Sequence, residues 1–404
     1  MTTPEDGFDT KVRGISGFWP ATPSKWSYSS LGDVEACPRR WMLGRAAYPA
    51  IWDRSGYPVR PSLGGMRGTV MHRAIEMVVG RLAAADCSTV ADPAAITVLK
   101  ALGGYTKLIE SVLEHEVASL DENPRAAQVI DSMALQLRTA VPEMRARVQR
   151  TVASIRLVAI EPKAEADAPA GLPSGALGPG SHAEVELHHQ ALRLVGRVDL
   201  LTINVGSCDI IDFKTGERQD DHADQVRLYA LLWERDGTRN PEHLPVGSLA
   251  LRYDQEQVLV DVPTTVELDA LEERLRSRIE AAESELQRRP PSANVSPETC
   301  TYCQVKHLCD DYWETLAPDA VDVPPGGLLN VRAEIVKQTG ARSWRVRLVP
   351  SGRDALVRTP SESRTFAVGD DVRFVGLRRG DDEDTGVAEL LLTTWTEAHV
   401  LDGS

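Results

Sequence analysis

Asp212 and Lys214 stand two residues apart in Ile210-Ile211-Asp212-Phe213-Lys214-Thr215-Gly216. On an extended strand both side chains leave one face while Phe213 leaves the other. An upstream run, Gly196-Arg197-Val198-Asp199, is separated from it by a polar turn. If the two runs pair as an antiparallel hairpin, Asp199 reaches Asp212 and two carboxylates converge within bridging distance of one cation. Hard oxygen donors of this kind suit Mg²⁺ or Mn²⁺. Phosphodiester hydrolysis needs a cation for the phosphate oxygens, an activated in-line water and a positive group beside it; Lys214 meets the last requirement. An isolated Asp-x-Lys is also an ordinary exposed strand pair, so its weight comes from the residues that accompany it.

Four further groups accompany it. Gln225 and Tyr229, in Gln225-Val226-Arg227-Leu228-Tyr229, are four apart and share one face of a helix. His72 lies one turn before Glu76 on a predicted helix; alone, such a histidine reads as a structural residue, with Glu76 able to orient its ring. Glu184 and Glu186, on the strand before Asp199, offer more acid, and spacing does not choose between them. Cys300, Cys303 and Cys309 form a Cys-x2-Cys-x5-Cys set, with Cys37, followed by Pro38, as the natural fourth thiol. Structural zinc usually draws on two paired knuckles, whereas a 4Fe-4S cluster accepts uneven spacing. Zn²⁺ stays open as the alternative. Cys87 and Cys208 fall outside the pattern and read as buried or incidental.

Together the Gly-x-x-Asp, Asp-x-Lys and Gln-x-x-x-Tyr elements resemble the RecB-like branch of the PD-(D/E)XK nucleases. The cysteine arrangement is similar to that of iron–sulfur nucleases related to the AddB subunit and to CRISPR-adaptation nucleases. The resemblance covers residues 24 to about 315. It implies that His72 joins Asp199 and Asp212 as a metal ligand, and that Gln225 orients the phosphate or Lys214 beside Tyr229. It also implies that a 4Fe-4S cluster on Cys37, Cys300, Cys303 and Cys309 clamps the ends of the nuclease domain. DNA is the implied substrate, as a single strand or an end. The rival readings are a non-catalytic DNA-binding or scaffold subunit of a repair or phage-defence complex, and an RNA-processing nuclease.

The elements that must position these residues are legible in outline. Residues 1–23 are polar and read as a flexible start. Ser29 and Ser30 suit the N-cap of a short helix reaching Cys37, with Pro38 tolerated only near its end. Helical patterns cover 68–85, 94–120 and 126–154, and a Pro/Gly/Ala-rich break spans Ala168–Gly180. Strand-like runs follow at 183–188, 192–203, 207–214 and 248–253, with a helix at 222–235 among them, so the core is expected to be α/β. A charged helix over 266–289 leads into the cysteines. After Pro324-Pro325-Gly326-Gly327, runs at 328–336, 343–349, 355–358, 371–377 and 388–395 predict five short strands in a small all-β domain over 328–404, an OB-like barrel. Its Trp344, Phe366, Phe374 and Trp395 suit either base stacking or a core beneath a protein-docking surface.

Bulk properties agree with a folded nucleic-acid enzyme once charge is read locally. The net charge of −14 argues against a phosphate-binding surface as a whole. Yet Cys37–Arg81 holds eight Arg against Asp53 and Glu76, and Leu328–Gly380 holds eleven Lys or Arg against five acids. No apolar run approaches the roughly 20 residues of a membrane span, and the first ten residues lack a secretory pattern, so a cytoplasmic protein without a membrane partner is expected. Six cysteines in that compartment favour metal ligation or burial over disulfides. The chain carries no phosphate-binding Gly-x-x-x-x-Gly-Lys-Ser/Thr loop, so any unwinding falls to a separate helicase.

Overall fold

The computed structural model describes residues 7–158, 175–254, 256–316, 322–360, 365–381 and 386–402. Residues 1–6 and most of the Ala168–Gly180 break lie outside that set. The expected loose start is corrected from Gly7 onward. Strands β1 (Gly7–Asp9) and β2 (Ser16–Phe18) form an antiparallel hairpin, Phe8 stacks on Trp19 at 3.9 Å between centroids, and Val12 bridges to Leu401. Val12 finds its partner nearly four hundred residues away, which no local pattern announces.

Helix α1 (Tyr28–Ala36) starts at Ser27 rather than at Ser29 or Ser30. Ser27 accepts from the Ser30 N–H while the Ser30 hydroxyl answers the Ser27 N–H, a reciprocal cap. Pro38 does not end α1 but opens α2 (Pro38–Arg45), where a missing N–H costs nothing, and Cys37 between them is the N-cap. Helix α3 (Leu63–Ala84) carries the histidine. The two long helical patterns each break in two: α4 (Pro93–Ala101) and α5 (Gly104–Ala118) part at Gly103 and Gly104, both with φ of 78°, and α6 (Ile130–Thr139) and α7 (Val141–Ala153) part before Pro142.

The central sheet has the order β3 (Gly180–His189), β4 (Leu194–Asn204), β5 (Ser207–Phe213), β6 (Val246–Arg252), β7 (Gln257–Val260). Only β5 and β6 run parallel, joined by the crossover helix α8 (Asp221–Arg235). Two apolar clusters cover its faces. On one side α8, α1, α2 and α9 (Thr265–Leu286) bury Trp26, Leu231 and Trp233; on the other α3, α5, α6 and α7 pack over Leu200 and Phe213. Fully burying each Leu or Phe contributes roughly 1.5–3 kcal/mol, so this mixed α/β sandwich holds its strands rigidly. The short helices α10 (Pro297–Cys300) and α11 (Asp310–Thr315) flank a 3-10 turn at Lys306–Leu308.

Among its described residues the tail has six strands rather than five: β8 (Leu328–Gly340), β9 (Ser343–Val349), β10 (Asp354–Arg358), β11 (Asp371–Arg379), β12 (Ala388–Leu391) and β13 (Glu397–Val400). The run expected to Trp395 stops at Leu391. Because β12 pairs in parallel with β10 and antiparallel with β11, five strands close into a ring, and β13 adds to β11 outside it. Trp344 and Phe374 are fully buried with Phe366 edge-on to both at 5.3 and 5.4 Å, so these aromatics fill the ring and are not free for bases. Trp395 lies beneath the Arg60 guanidinium, 5.2 Å from its centroid. Several tail arginines are spent on carboxylates: Arg332 on Asp371, Arg345 on Asp354, Arg347 on Glu334. The ring docks on the cysteine segment through Arg373, 1% exposed, which donates to the His307 carbonyl at 2.8 Å and to Asp310 at 2.5 Å.

Candidate active site and thiolate cavity

The hairpin expected of the two acidic runs forms, and its end is where the site opens. Backbone pairing of β4 with β5 stops at Leu200–Ile211. On the next rung the strands splay, and Asp199 Oδ2 accepts from the Phe213 N–H at 2.6 Å in place of a ladder bond. Asp199 and Asp212 therefore face each other across that rung, both buried. Glu184 extends the row onto β3: it sits between the pairs Ala183–Leu200 and Val185–Val198, opposite Asp199, with its backbone turned to a φ of 56°. That left-handed conformation is uncommon for a glutamate and marks local strain at the site. Glu186 is not part of the row; its carboxylate pairs with His188 at 3.0 Å.

Lys214 Nζ lies 2.8 Å from Asp212 Oδ2 and donates to Gln225 Oε1 at 2.6 Å, and Gln225 Nε2 donates to the Tyr229 hydroxyl at 2.7 Å. One helix face thus holds the ammonium in place. Gly196 explains itself here: a Cβ would fall 2.6 Å from Leu232 and 2.9 Å from the Tyr229 ring, so only glycine lets α8 press this close to β4. His72 reaches over from α3, with Nε2 3.3 Å from Asp199 Oδ1 and Nδ1 2.5 Å from Glu76.

The charges strain against one another. Burial and the Asp199 charge raise the Asp212 pKa, against the pull of Lys214. Burial, then Glu76 and Asp199, push Glu184 up to about 7. His72, hydrogen-bonded to Asp199 and Glu76, is raised to about 10 and is an imidazolium at neutral pH. Such crowding of acids fits a hard divalent cation. Glu184 Oε1 and Asp212 Oδ2 are buried without an aligned donor, the latter touching Lys214 only as a charge, and a cation would satisfy both. Residues that spacing did not reveal also position the site. Arg147 donates to the Thr215 carbonyl at 3.0 Å, and Gly68 leaves room for Thr215 Oγ1, 3.4 Å from where its Cβ would be.

Cys37, Cys300, Cys303 and Cys309 converge on one enclosed cavity between α2 and the α10–α11 segment, all unbridged. Cys37 Sγ accepts from the Arg40 and Asn294 N–H groups at 3.4 and 3.5 Å. Burial raises the thiol pKa of Cys309 to about 11 and that of Cys303 in the same direction, so a positive centre is needed to hold them as thiolates. Cys87 and Cys208 lie apart, in the two apolar clusters of the sandwich.

A splayed β-hairpin with an acidic row, a lysine and a flanking helix defines a nuclease-type α/β fold. The model of the PD-(D/E)XK nuclease superfamily matches residues 25–310, more than two thirds of the chain, and the chain belongs to that superfamily. No curated protein gives a significant match. Among solved structures, the chain is 10% identical to a murine DNA binding protein bound with double-stranded DNA, over 55% of this chain and 95% of that one, with a TM-score of 0.18. A tetrameric HIN2 crystal structure is 14% identical over 21% of this chain, with a TM-score of 0.18; the chain spans 47% of its length. These scores establish no shared fold. Among the described residues, no helix is long and apolar enough to cross a membrane.

Proposed function

We propose that this chain is a metal-dependent deoxyribonuclease that hydrolyses phosphodiester bonds at single strands or ends, in repair, recombination or phage defence. The observation that carries the reading is the single rung holding Glu184, Asp199 and Asp212 with Lys214 2.8 Å from the last of them. Asp199, Asp212 and His72, with Glu184 added to the expected set, are the residues that would hold Mg²⁺ or Mn²⁺. When bound, that cation supplies charge neutralisation at the phosphate and an activated water. Lys214, held by Gln225, places an ammonium beside the scissile phosphate, and Tyr229 keeps Gln225 turned toward it. Burial of the row excludes bulk water and strengthens each of these interactions.

The cysteine cavity is read as a 4Fe-4S site. Among the described residues, no three of these thiols come within 4.8 Å of one another. Tetrahedral zinc with Zn–S of about 2.3 Å needs sulfurs only about 3.8 Å apart, which favours the larger group over Zn²⁺. The closure of five tail strands through the β12–β11 pairing supports reading the tail as an OB-like barrel. With Trp344, Phe366 and Phe374 packed together and Arg332, Arg345 and Arg347 paired, it is better suited to bracing the cysteine segment than to binding a strand.

Cleavage of labelled single- and double-stranded DNA and RNA with Mg²⁺ or Mn²⁺, beside Asp212→Ala, tests the reading. DNA cleavage by the wild type alone is expected; equal inertness of both proteins on every substrate overturns it in favour of a scaffold. Iron and sulfide analysis of anaerobically purified protein decides between the cluster and zinc.

A further inference from the structure

A large cavity lies away from the acidic row. About 780 Å³ in volume, it lies between α2, the loop at 51–59 and the cysteine segment, and shares Arg40 and Val305 with the thiol cavity. Its wall is aromatic and cationic: Trp41, Trp52, Tyr57 and Tyr302 with Arg40 and Arg45. Three features are unexplained by packing. Tyr302, between Cys300 and Cys303, is 87% exposed, an unusual placement for a large ring. Trp41 is 6% exposed, yet its indole N–H is buried without an acceptor. Arg45 stacks over the Trp41 ring at 5.1 Å, and no carboxylate pairs with it among the described residues. Arg40, by contrast, is held by Asp33 at 3.3 Å and by the Thr299 carbonyl at 3.4 Å.

The exposed Tyr302 ring and the half-buried Trp52, beside an unpaired guanidinium and a spare N–H donor, suit a ligand with a flat π-face, an anionic group and an acceptor atom. Unpaired nucleotides have all three, whereas bases of a duplex are stacked inside it. We propose that this cavity binds an unpaired nucleotide of a DNA strand: the base stacks against Tyr302 or Trp52, the phosphate meets Arg45, and a base or sugar oxygen accepts from Trp41. The inference rests on the nuclease reading for its choice of DNA. It makes the site a holding point for single-stranded substrate, outside the acidic row.

The test uses the full chain with Asp212→Ala to block cleavage, and the fluorescence anisotropy of a labelled oligothymidylate and of a duplex of equal length. Arg45→Glu and Tyr302→Ala alter exposed side chains, and unchanged circular dichroism and iron content confirm that each variant folds. Each is expected to weaken single-strand binding at least about fivefold, the loss of one stack or phosphate contact, with less effect on the duplex. Single-strand binding equal to that of the parent in both variants overturns the proposal, while DNA cleavage by the wild type leaves the nuclease reading standing. If the wild type cleaves nothing but the variants still lose oligonucleotide binding, the cavity is a nucleotide site and the hydrolytic reading is what fails.

Discussion

Asp199 ties its own strand to the next: its Oδ2 accepts from the Phe213 N–H at 2.6 Å, while its Oδ1 faces His72 at 3.3 Å. One carboxylate is divided between holding the splayed hairpin and facing the site. The two roles separate by substitution. Asp199→Asn keeps an acceptor for Phe213 and removes one negative charge from a crowded row. It is expected to abolish cleavage while melting in EDTA no lower than the wild type. Asp199→Ala leaves the buried N–H without a partner and should be less stable than Asp199→Asn by about 1–3 kcal/mol. Thermal melts and cleavage assays on both variants check this.

His72 carries a pH signature. Its ordinary pKa of about 6.5 is raised to about 10 in the folded protein by Asp199 and Glu76. A raised pKa gives stability that is fully present below the unfolded value and is lost as pH climbs through the folded one. In EDTA the melting temperature of the wild type should therefore fall between pH 7 and 10 more steeply than that of His72→Gln. A divalent cation held by His72 must also displace its proton. Calorimetric titration with Mn²⁺ at pH 8 in buffers of different ionisation enthalpy should show proton release that His72→Gln lacks.

Gly196→Ala is a probe of positioning. Its Cβ would meet the Leu232 and Tyr229 side chains at 2.6 and 2.9 Å, so the Tyr229 ring must move and disturb its hold on Gln225. We expect about 1–3 kcal/mol of destabilisation and a fall in kcat larger than any change in KM. An unchanged kcat would remove Gln225 and Tyr229 from the machinery.

The barrel should brace the thiolate cavity. Arg373→Ala leaves the His307 carbonyl without its donor and Asp310 with Lys11 alone, and His307 lies between Cys303 and Cys309. Because Asp310 is about a third exposed, the cost should stay near 1–3 kcal/mol. If the cavity holds the proposed 4Fe-4S cluster, its visible absorbance should bleach faster in air than in the wild type. Equal bleaching rates would mean that the tail gives the cysteines no support.

What the sequence alone determined are relations between near neighbours. Asp212 and Lys214 share a face because strand side chains alternate, Gln225 and Tyr229 stack because a helix repeats about every four residues, and the spacing of Cys300, Cys303 and Cys309 shows on inspection. Such patterns are periodic, and the hydrophobic ones repeat with them, so the α/β core was legible too. Capping and helix breaks were read less well, since Ser27, Gly103 and Pro142 act on single residues that periodicity averages over. Only the tertiary structure decided which acid joins the row: Glu184 and Glu186 are equivalent in composition, and the turned backbone at Glu184 together with its place opposite Asp199 separates them. It alone showed that Trp344 and Phe374 lie inside the tail, that β12 closes a ring on β10 and β11, and that Phe8 and Val12 anchor the N-terminal hairpin. These are contacts between segments far apart in the chain, chosen by shape and burial competing over the whole fold. Local composition carries no record of that competition.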